Sequence, residues 1–230
     1  MFKMPNSIKE FFYKNKHVIY LLVIPVYLSI FCIEEKLIVN NYYATYMPLD
    51  DLIPFCEWFV IPYFIWHPMM VLTGLYLFFR DVDGFKKYIT FVGGGFLIIV
   101  ILYAFFPNGQ NLRPTTFDHS NIMIDVVKLL YQSDTNTNVC PSLHVVGTIG
   151  AMIALLKSKN LQKLWFQILN VVLSILICLS TVFVKQHSIV DVFVGIAFGL
   201  VYYLIVYILL PYIATSHRKK KLVVSHSGSK

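Results

Sequence analysis

The sequence has few charged residues. Only 13% of its 230 residues are Asp, Glu, Lys or Arg, whereas 57% are hydrophobic. A soluble domain carries charge on about a quarter of its residues. The composition therefore excludes an ordinary soluble domain and indicates an integral membrane protein.

The chain also lacks the features that divide a protein into domains. It has no internal repeat, no low-complexity linker and no long Gly/Ser/Pro tract. We therefore predict one membrane domain over residues 1–230, with cytoplasmic tails at 1–16 and 214–230. Only the final segment "SHRKKKLVVSHSGSK" has the composition of an unstructured tail.

Cysteines are scarce and do not indicate a metal site. Cys32 and Cys178 lie inside apolar runs, as small core residues do. Cys56 and Cys140 are expected on the same side of the membrane, so a disulfide between them stays open as an alternative. No group of Cys, His and carboxylate residues has a metal-ligand spacing, and we expect no metal and no cofactor.

What the sequence does contain is long apolar runs. A membrane-spanning helix needs about 20 mostly apolar residues. No small-x-small cleavage site follows the first run, which indicates a retained span rather than a signal peptide. The sequence predicts an all-α bundle of six transmembrane helices, at His17–Ile33, Pro54–Phe79, Tyr88–Phe106, Leu143–Leu156, Leu164–Val184 and Ile189–Ile213.

The basic residues divide unevenly between alternate connections. The two tails and the loops 80–87 and 157–163 hold 15 of the 19 Lys and Arg residues. By the positive-inside rule both termini are predicted to be cytoplasmic. Because the charges flank apolar runs and form no basic face, the net charge of +7 does not indicate nucleic-acid binding. From its small size, we expect a multi-pass protein of a bacterial cytoplasmic membrane.

The fourth predicted span is short for a bilayer. Leu143–Leu156 would extend about 21 Å as a helix, against a hydrocarbon core of about 30 Å. Either Lys157 and Lys159 extend to the cytoplasmic surface, or the outer end of the helix begins below the lipid surface. The second alternative places His144 in a recess that is open to the outside.

Polar residues cluster in the connections predicted to face outward. These connections contain "PNGQNLRP" (107–114), "CPSLH" (140–144) and "KQHSIVD" (185–191). His187 and Asp191 are four residues apart and share one face of a helix, where the carboxylate can orient the imidazole. Buried charged groups of this kind in a span are usually functional.

The other two segments supply a second histidine and groups that suit an anion. His144 is a candidate proton donor or acceptor, and Pro141 suits a first helical turn. The N–H groups of Ser142, Leu143 and His144 would then favour an anion at the helix N-terminus. The phosphate-binding candidates are Ser142, Arg113 and Lys185. A site built from these residues and the two histidines suits a phosphoryl group.

These segments resemble the motifs of the type 2 phosphatidate phosphatase (PAP2) superfamily of integral-membrane lipid phosphatases and phosphotransferases. Its motifs are Lys-x6-Arg-Pro, Pro-Ser-Gly-His and Ser-Arg-x5-His-x3-Asp. They match "RP" at 113–114, "PSLH" at 141–144 and "STVFVKQHSIVD" at 180–191. The form "PSLH…HSIVD" is closer to the branch of inositol-phosphorylceramide synthase-like and sphingomyelin synthase-like transferases.

The resemblance implies roles for these residues. His187 would be the nucleophile, Asp191 its orienting partner and His144 the general acid, while Arg113 and Ser142 would bind phosphate. Three positions depart from the family pattern: Phe106 replaces lysine, Leu143 replaces glycine and Thr181 replaces arginine. Lys185 is the candidate replacement for one missing cation.

Three functions are compatible with this pattern. The first is a lipid phosphate phosphatase without metal, whose partners are its lipid substrate and the surrounding membrane lipids; no protein partner is inferred. The second is a lipid head-group transferase. The third, a transporter, is disfavoured because the chain has no repeats and no interrupted helices. A stripe of Ile122, Val126, Leu129 and Leu130 further predicts an amphipathic surface helix within Asp118–Tyr131.

The charge asymmetry predicts a topology that labelling can test. On a background without the four native cysteines, a cysteine replacing Asn40 or Asn136 should react with an impermeant maleimide in intact cells. A cysteine replacing Lys159 or Lys220 should react only after the cells are permeabilised. Strong labelling of position 159 from outside would contradict this topology.

Overall fold

The computed structural model describes residues 8–38 and 41–216. Within these, the chain forms helices joined by short connections and one small pair of strands. Parts of both predicted tails, including Lys220, and also Asn40, lie outside the described residues. The elements are α1 (Ile8–Lys14), α2 (Val23–Leu37), β1 (Tyr43–Ala44), α3 (Leu49–Leu52), α4 (Val60–Arg80), α5 (Val82–Phe105), β2 (Asn108–Gly109), α6 (Ile122–Ser133), α7 (Leu143–Lys157), α8 (Leu164–Phe183) and α9 (Ile189–Tyr203).

Short irregular turns extend several of these helices. A 3₁₀ segment, Lys16–Leu22, leads into α2, and another, Glu57–Phe59, leads into α4. A third 3₁₀ turn, Lys159–Leu161, lies between α7 and α8. Helix α9 continues through a π-helical segment, Leu204–Leu209.

The prediction of an all-helical membrane protein is confirmed. Five helical segments are long and apolar enough to cross a membrane. The predicted fourth span is present as the shorter apolar helix α7. The count of six spans and the cytoplasmic position of both termini stay predictions. The five long segments are Lys16–Leu37, Glu57–Arg80, Val82–Phe105, Leu164–Phe183 and Ile189–Ser216.

Large apolar side chains cover much of the outer surface of the bundle. On α9 and its extension, Leu200, Val201 and Leu204 each expose more than half of their surface. Exposed apolar area of this extent is rare on soluble monomers. It is expected where hydrocarbon chains of a bilayer surround the helices.

The short helix α7 lies at the centre of the bundle. It packs against α4, α5, α8 and α9, and its buried residues include Val145, Val146 and Ala151. Because these neighbours cover it on several sides, α7 itself does not have to match the thickness of the hydrocarbon core.

Helices α7 and α9 approach each other closely at Gly195. A Cβ atom on Gly195 would lie 3.2 Å from Val145 and 3.4 Å from the backbone nitrogen of Ser142. The missing side chain therefore lets the first turn of α9 lie beside the start of α7. At this contact the Ser142 N–H donates to the carbonyl of Asp191 at 3.3 Å.

Backbone hydrogen bonds join three connections at one end of the bundle. Strands β1 and β2 are parallel, with Tyr43 paired to Asn108, and Gly109 also bridges to Thr137. The loops that follow α2, α5 and α6 are thereby held together. They surround the turn between α8 and α9.

Helix α6 differs in part from its prediction. It begins at Ile122, where the Asn121 side chain accepts a hydrogen bond from the N–H of Ile124. Its inner face is formed by Ile124, Val127 and Leu130, whereas Ile122 and Leu129 are exposed. The predicted helix is therefore present, and its predicted stripe divides: Leu130 packs against Val60 and Tyr63, whereas Ile122 and Leu129 lie on the surface of the bundle.

Candidate active site

His187 and Asp191 form a buried pair at the start of α9. The Nδ1 atom of His187 lies 3.4 Å from Oδ2 of Asp191, whose residue is completely buried. The same oxygen accepts a hydrogen bond from the N–H of Ser188 at 2.9 Å and completes a capping box. Asp191 therefore begins the helix and holds its carboxylate within ion-pair distance of the imidazole.

The turn before His187 is held by one backbone carbonyl. The N–H groups of Gln186 and His187 both donate to the carbonyl of Thr181, at 2.9 and 3.0 Å. Lys185 adopts a φ of 54°, a left-handed conformation that is uncommon for residues other than glycine. Thr181, which stands where the family motif has arginine, thus contributes a carbonyl to this turn.

Ser142 joins the start of α7 to His187. Its Oγ lies 3.2 Å from Nε2 of His187, and it accepts a hydrogen bond from the N–H of Val145 at 3.4 Å. Since the Asp191 carboxylate faces Nδ1, we assign the proton of neutral His187 to Nδ1 and the lone pair to Nε2. The lone pair is then available at the atom beside Ser142.

The beginning of α7 differs from the expected arrangement. The helix starts at Leu143 with Ser142 as its N-cap, so Pro141 lies outside the first helical turn. The Ser142 N–H is used by the carbonyl of Asp191. Leu143 and His144 provide N–H groups in the first turn, where no intrahelical acceptor exists.

His144 is enclosed by aromatic rings. Its ring centroid lies 4.4 Å from that of Tyr63 and 4.3 Å from that of Trp66, both on α4. The ring centroids of His144 and His187 are 6.0 Å apart, and the ring planes are inclined by 65°. The Nε2 atom of His144 is buried and has no hydrogen-bond partner among the described residues.

Arg113 is engaged by protein acceptors. Its Nη1 donates to the carbonyls of Tyr131 and Asp134, at 3.3 and 3.0 Å, and its Nη2 donates to the carbonyl of Thr135 at 2.5 Å. Nη2 also donates to Oε1 of Gln186. The predicted phosphate fork is thus turned toward the loop after α6.

Lys185 is also directed away from the histidines. Its Nζ donates to the carbonyls of Asp50 and Ile53, at 2.9 and 2.5 Å. The Asp50 carboxylate accepts hydrogen bonds from Oγ of Ser188 at 2.5 Å and from the N–H of Ile189 at 2.8 Å. Burial lowers the pKa of Lys185, and the nearby Asp50 opposes that shift.

A cavity of about 450 Å³ connects the two histidines. Among the described residues no lysine or arginine lines it, and Ser142 and Asp191 are not among its lining residues either. The side chain of Asp134 reaches the cavity, and burial, together with the nearby Glu35, raises the pKa of this carboxyl. The lining of the cavity includes Tyr27, Tyr63, Trp66, His67, Asp134, Asn138, His144, Gln186 and His187.

An apolar groove adjoins the cavity. The groove has a volume of about 580 Å³ and shares Tyr27, Trp66, His67 and Phe96 with the cavity. Its lining comes from the 3₁₀ turn and α2 on one side, α4 on the other, and α5 between them. On α4 it runs from Trp66 to Phe79, which is about 20 Å along the helix axis.

The thiols of the described residues are all free. The open alternative of a bond between Cys56 and Cys140 is therefore not realised. Burial and the nearby Asp191 raise the pKa of Cys140 to about 12. A thiol with such a pKa stays protonated at neutral pH and is a poor nucleophile.

Sequence reasoning missed several residues that shape the site. It assigned no role to Asp50, Tyr63, Trp66, Gln186 or His67. Each lies 30 residues or more from at least one residue that it contacts here, as in the bonds from Asp50 to Ser188 and from Gln186 to Arg113. Only the position of Gln186 beside His187 was visible in the sequence.

Comparison with known proteins gives a family. Searches of curated proteins and of solved structures return no significant match. The family model of the PAP2 superfamily matches residues 88–214, which include α7, α8, α9 and both histidines. Because this match covers more than half of the chain, the protein belongs to the PAP2 superfamily.

Proposed function

We propose that the protein is a metal-independent membrane phosphatase that hydrolyses a lipid phosphate through a phosphohistidine intermediate. The observation that supports this most directly is the pairing of His187 with Asp191 on a cavity that also contains His144. Family membership supports phosphatase or phosphotransferase chemistry in general. In keeping with the predicted topology, we place this chemistry at the outer face of the membrane.

In the first step, Nε2 of His187 attacks phosphorus. The P–N bond forms while the ester P–O bond breaks, and the departing alkoxide takes a proton from His144. The positive charge that develops on His187 is stabilised by the Asp191 carboxylate 3.4 Å from Nδ1. The N–H groups at the start of α7 favour the negative charge on the phosphoryl oxygens.

In the second step, water replaces the lipid alcohol. His144, now neutral, accepts a proton from the water as its oxygen attacks phosphorus, and the P–N bond breaks. Inorganic phosphate leaves and His187 regains its lone pair. The aromatic rings of Tyr63 and Trp66 hold His144 in one orientation for both proton transfers.

The groove between α2 and α4 supports a lipid as the substrate. It is lined almost entirely by apolar side chains and shares four lining residues with the cavity that contains the histidines. Its length of about 20 Å exceeds half of a hydrocarbon core of about 30 Å. We propose that an acyl or prenyl chain lies in this groove while the phosphate lies between the histidines.

A second candidate, the head-group transferase, is favoured by the lack of free cations. Both Arg113 and Lys185 donate to protein acceptors, and no lysine or arginine among the described residues lines the cavity. A phosphodiester carries one negative charge, whereas a phosphomonoester carries between about 1.5 and 2 at pH 7. A site with few cations suits the diester, whose phosphoryl group would then pass to an alcohol.

A product assay distinguishes the two candidates. Purified protein in detergent is incubated with a panel of lipid phosphates and lipid phosphodiesters, with and without lipid alcohols. The phosphatase should release inorganic phosphate from a monoester without any acceptor. A new phosphodiester lipid that forms only with a lipid alcohol, without release of phosphate, would instead establish the transferase.

The proposed division of labour between the histidines predicts different rescue by a good leaving group. Because p-nitrophenolate needs little protonation, p-nitrophenyl phosphate should partly rescue His144→Ala and should not rescue His187→Ala. General acid catalysis is typically worth about 10²–10⁴-fold, so the difference is measurable. Rates are measured on both substrate types, together with acid-labile phosphate trapped on the protein. Equal rescue, or trapped phosphate in His187→Ala, would reverse the assignment.

Filling the apolar groove should weaken binding of long-chain substrates. A Cβ atom on Gly74 would lie 3.5 Å from Tyr88, an ordinary contact, so Gly74→Phe places its ring in the groove. Since each buried methylene contributes about 0.8 kcal/mol, loss of a few should raise KM about tenfold or more. Activity on p-nitrophenyl phosphate should not change.

A matched control is available in a second apolar groove. Ile175 lines a separate groove among α7, α8 and α9 and is half exposed. Ile175→Phe adds a ring to a lipid-facing position and should leave KM for every chain length unchanged. Equal effects of the two substitutions on KM would show that the substrate chain does not occupy the groove between α2 and α4.

A further inference from the structure

Arg113 uses all four of its terminal N–H groups within the protein. The acceptors are the carbonyls of Tyr131, Asp134 and Thr135 and the side-chain oxygen of Gln186. The guanidinium also lies 4.7 Å from the centre of the Tyr131 ring. Because a guanidinium fork needs two adjacent free N–H groups to bind phosphate in a bidentate manner, this one is already occupied.

The contact with Arg113 fixes the orientation of the Gln186 amide. A guanidinium only donates hydrogen bonds, so the atom of Gln186 that faces it must be the oxygen. The amide nitrogen, Nε2, therefore lies at the other side of the group. Arg113 thus determines which end of Gln186 is free.

The free end of Gln186 is a buried donor without an acceptor. Gln186 exposes 3% of its surface, and Nε2 has no hydrogen-bond partner among the described residues. The side chain lines the same cavity as His144 and His187. Buried donors are nearly always paired in folded proteins, so an unpaired one in a residue that lines a cavity calls for a water molecule or a ligand as its acceptor.

The backbone places Gln186 next to the proposed nucleophile. Gln186 and His187 are consecutive, and both of their N–H groups donate to the carbonyl of Thr181. The positions of the two side chains are therefore fixed by the same turn. A phosphoryl group bonded to Nε2 of His187 would have its oxygens within the same cavity as the Gln186 amide.

We propose that Gln186 binds a nonbridging oxygen of the phosphoryl group, and that Arg113 is a positioning residue that acts through Gln186. This inference rests on the proposed phosphohistidine chemistry. The amide supplies two N–H donors without adding charge, at a site where Phe106 and Thr181 stand in place of the family's lysine and arginine. By donating hydrogen bonds, the amide stabilises part of the negative charge that the missing cations would otherwise stabilise.

Replacing Gln186 tests its contact with phosphate. Gln186→Glu keeps the size of the side chain and offers Arg113 a carboxylate, so the loop should remain folded. It removes both donors and places a negative charge beside the phosphoryl group. We expect kcat to fall about 10²-fold to 10³-fold, the usual effect of losing one preorganised donor. The melting temperature in detergent should stay within a few degrees of the wild type.

A surface glutamine provides the matched control. Gln132 lies on the exposed side of α6, outside the lining of the histidine cavity. Gln132→Glu makes the same chemical change and should leave kcat and KM unaltered. Wild-type kcat in Gln186→Glu, or an equal loss in Gln132→Glu, would overturn the role of Gln186.

A double-mutant cycle separates positioning from direct contact by Arg113. Arg113→Lys keeps the charge but cannot donate to four acceptors. It should therefore lose the bond that orients the Gln186 amide, and kcat should fall. If Arg113 acts through Gln186, the same substitution should have little further effect in the Gln186→Leu background. Full additivity of the two losses would mean that Arg113 binds the phosphoryl group directly.

Vanadate binding distinguishes failure of this inference from failure of the proposed function. Vanadate should raise the melting temperature of the wild type and of Gln132→Glu, but not that of Gln186→Glu. If the wild type yields no phosphate and no trapped phosphohistidine, the proposed function fails, while the vanadate shift still tests the anion contact. Equal stabilisation of the wild type and Gln186→Glu by vanadate would refute the contact itself.

Discussion

A buried turn must find a partner for each of its polar backbone groups, because burial removes the water that would otherwise pair with them. The turn 184–189 satisfies this constraint with groups from distant loops. Tyr131 donates to the carbonyl of Val184 and Gln110 to that of Lys185, while Asp50 accepts from Ser188 and Ile189. The position of the histidine at the centre of this turn depends on these bonds.

The same constraint explains where the positive charges lie. Arg113 and Lys185 both donate to backbone carbonyls around the turn, so their charges stabilise the loops that hold His187. Lone carbonyls in a region of low dielectric attract cations strongly. A cation that already donates to protein carbonyls is less available to a ligand. Neutral donors therefore remain to bind the phosphoryl group.

The sequence predicted the apolar helices and the juxtaposition of His187 and Asp191 for clear physical reasons. Apolar runs reveal membrane helices because a bilayer requires them, and a spacing of four residues places His187 and Asp191 on one face. The position of Ser142 and His144 at the start of an apolar helix made them candidates, and the resemblance to known motifs implied their roles. In the structure Ser142 contacts His187, which brings the two segments together.

The partners of Arg113 and Lys185 could not be predicted from the sequence. Lys185 bonds to residues more than 130 positions away, and Arg113 bonds to the loop after α6. Such contacts depend on how the connections between helices fold over one another, which neither composition nor periodicity encodes. For the same reason the sequence could not indicate that rings from α4 enclose His144.

Asp191 connects the stability of the fold with its chemistry. Its Oδ2 completes the cap of α9 through Ser188, and the same atom faces Nδ1 of His187. Its backbone carbonyl accepts the N–H of Ser142, which lies at the start of the helix that carries His144. The start of α9, the start of α7 and both histidines are therefore placed relative to one another by a single residue. A change in how α7 packs on α9 would shift the distance between the two imidazoles, so the close approach at Gly195 belongs to the geometry of the site as much as to that of the fold.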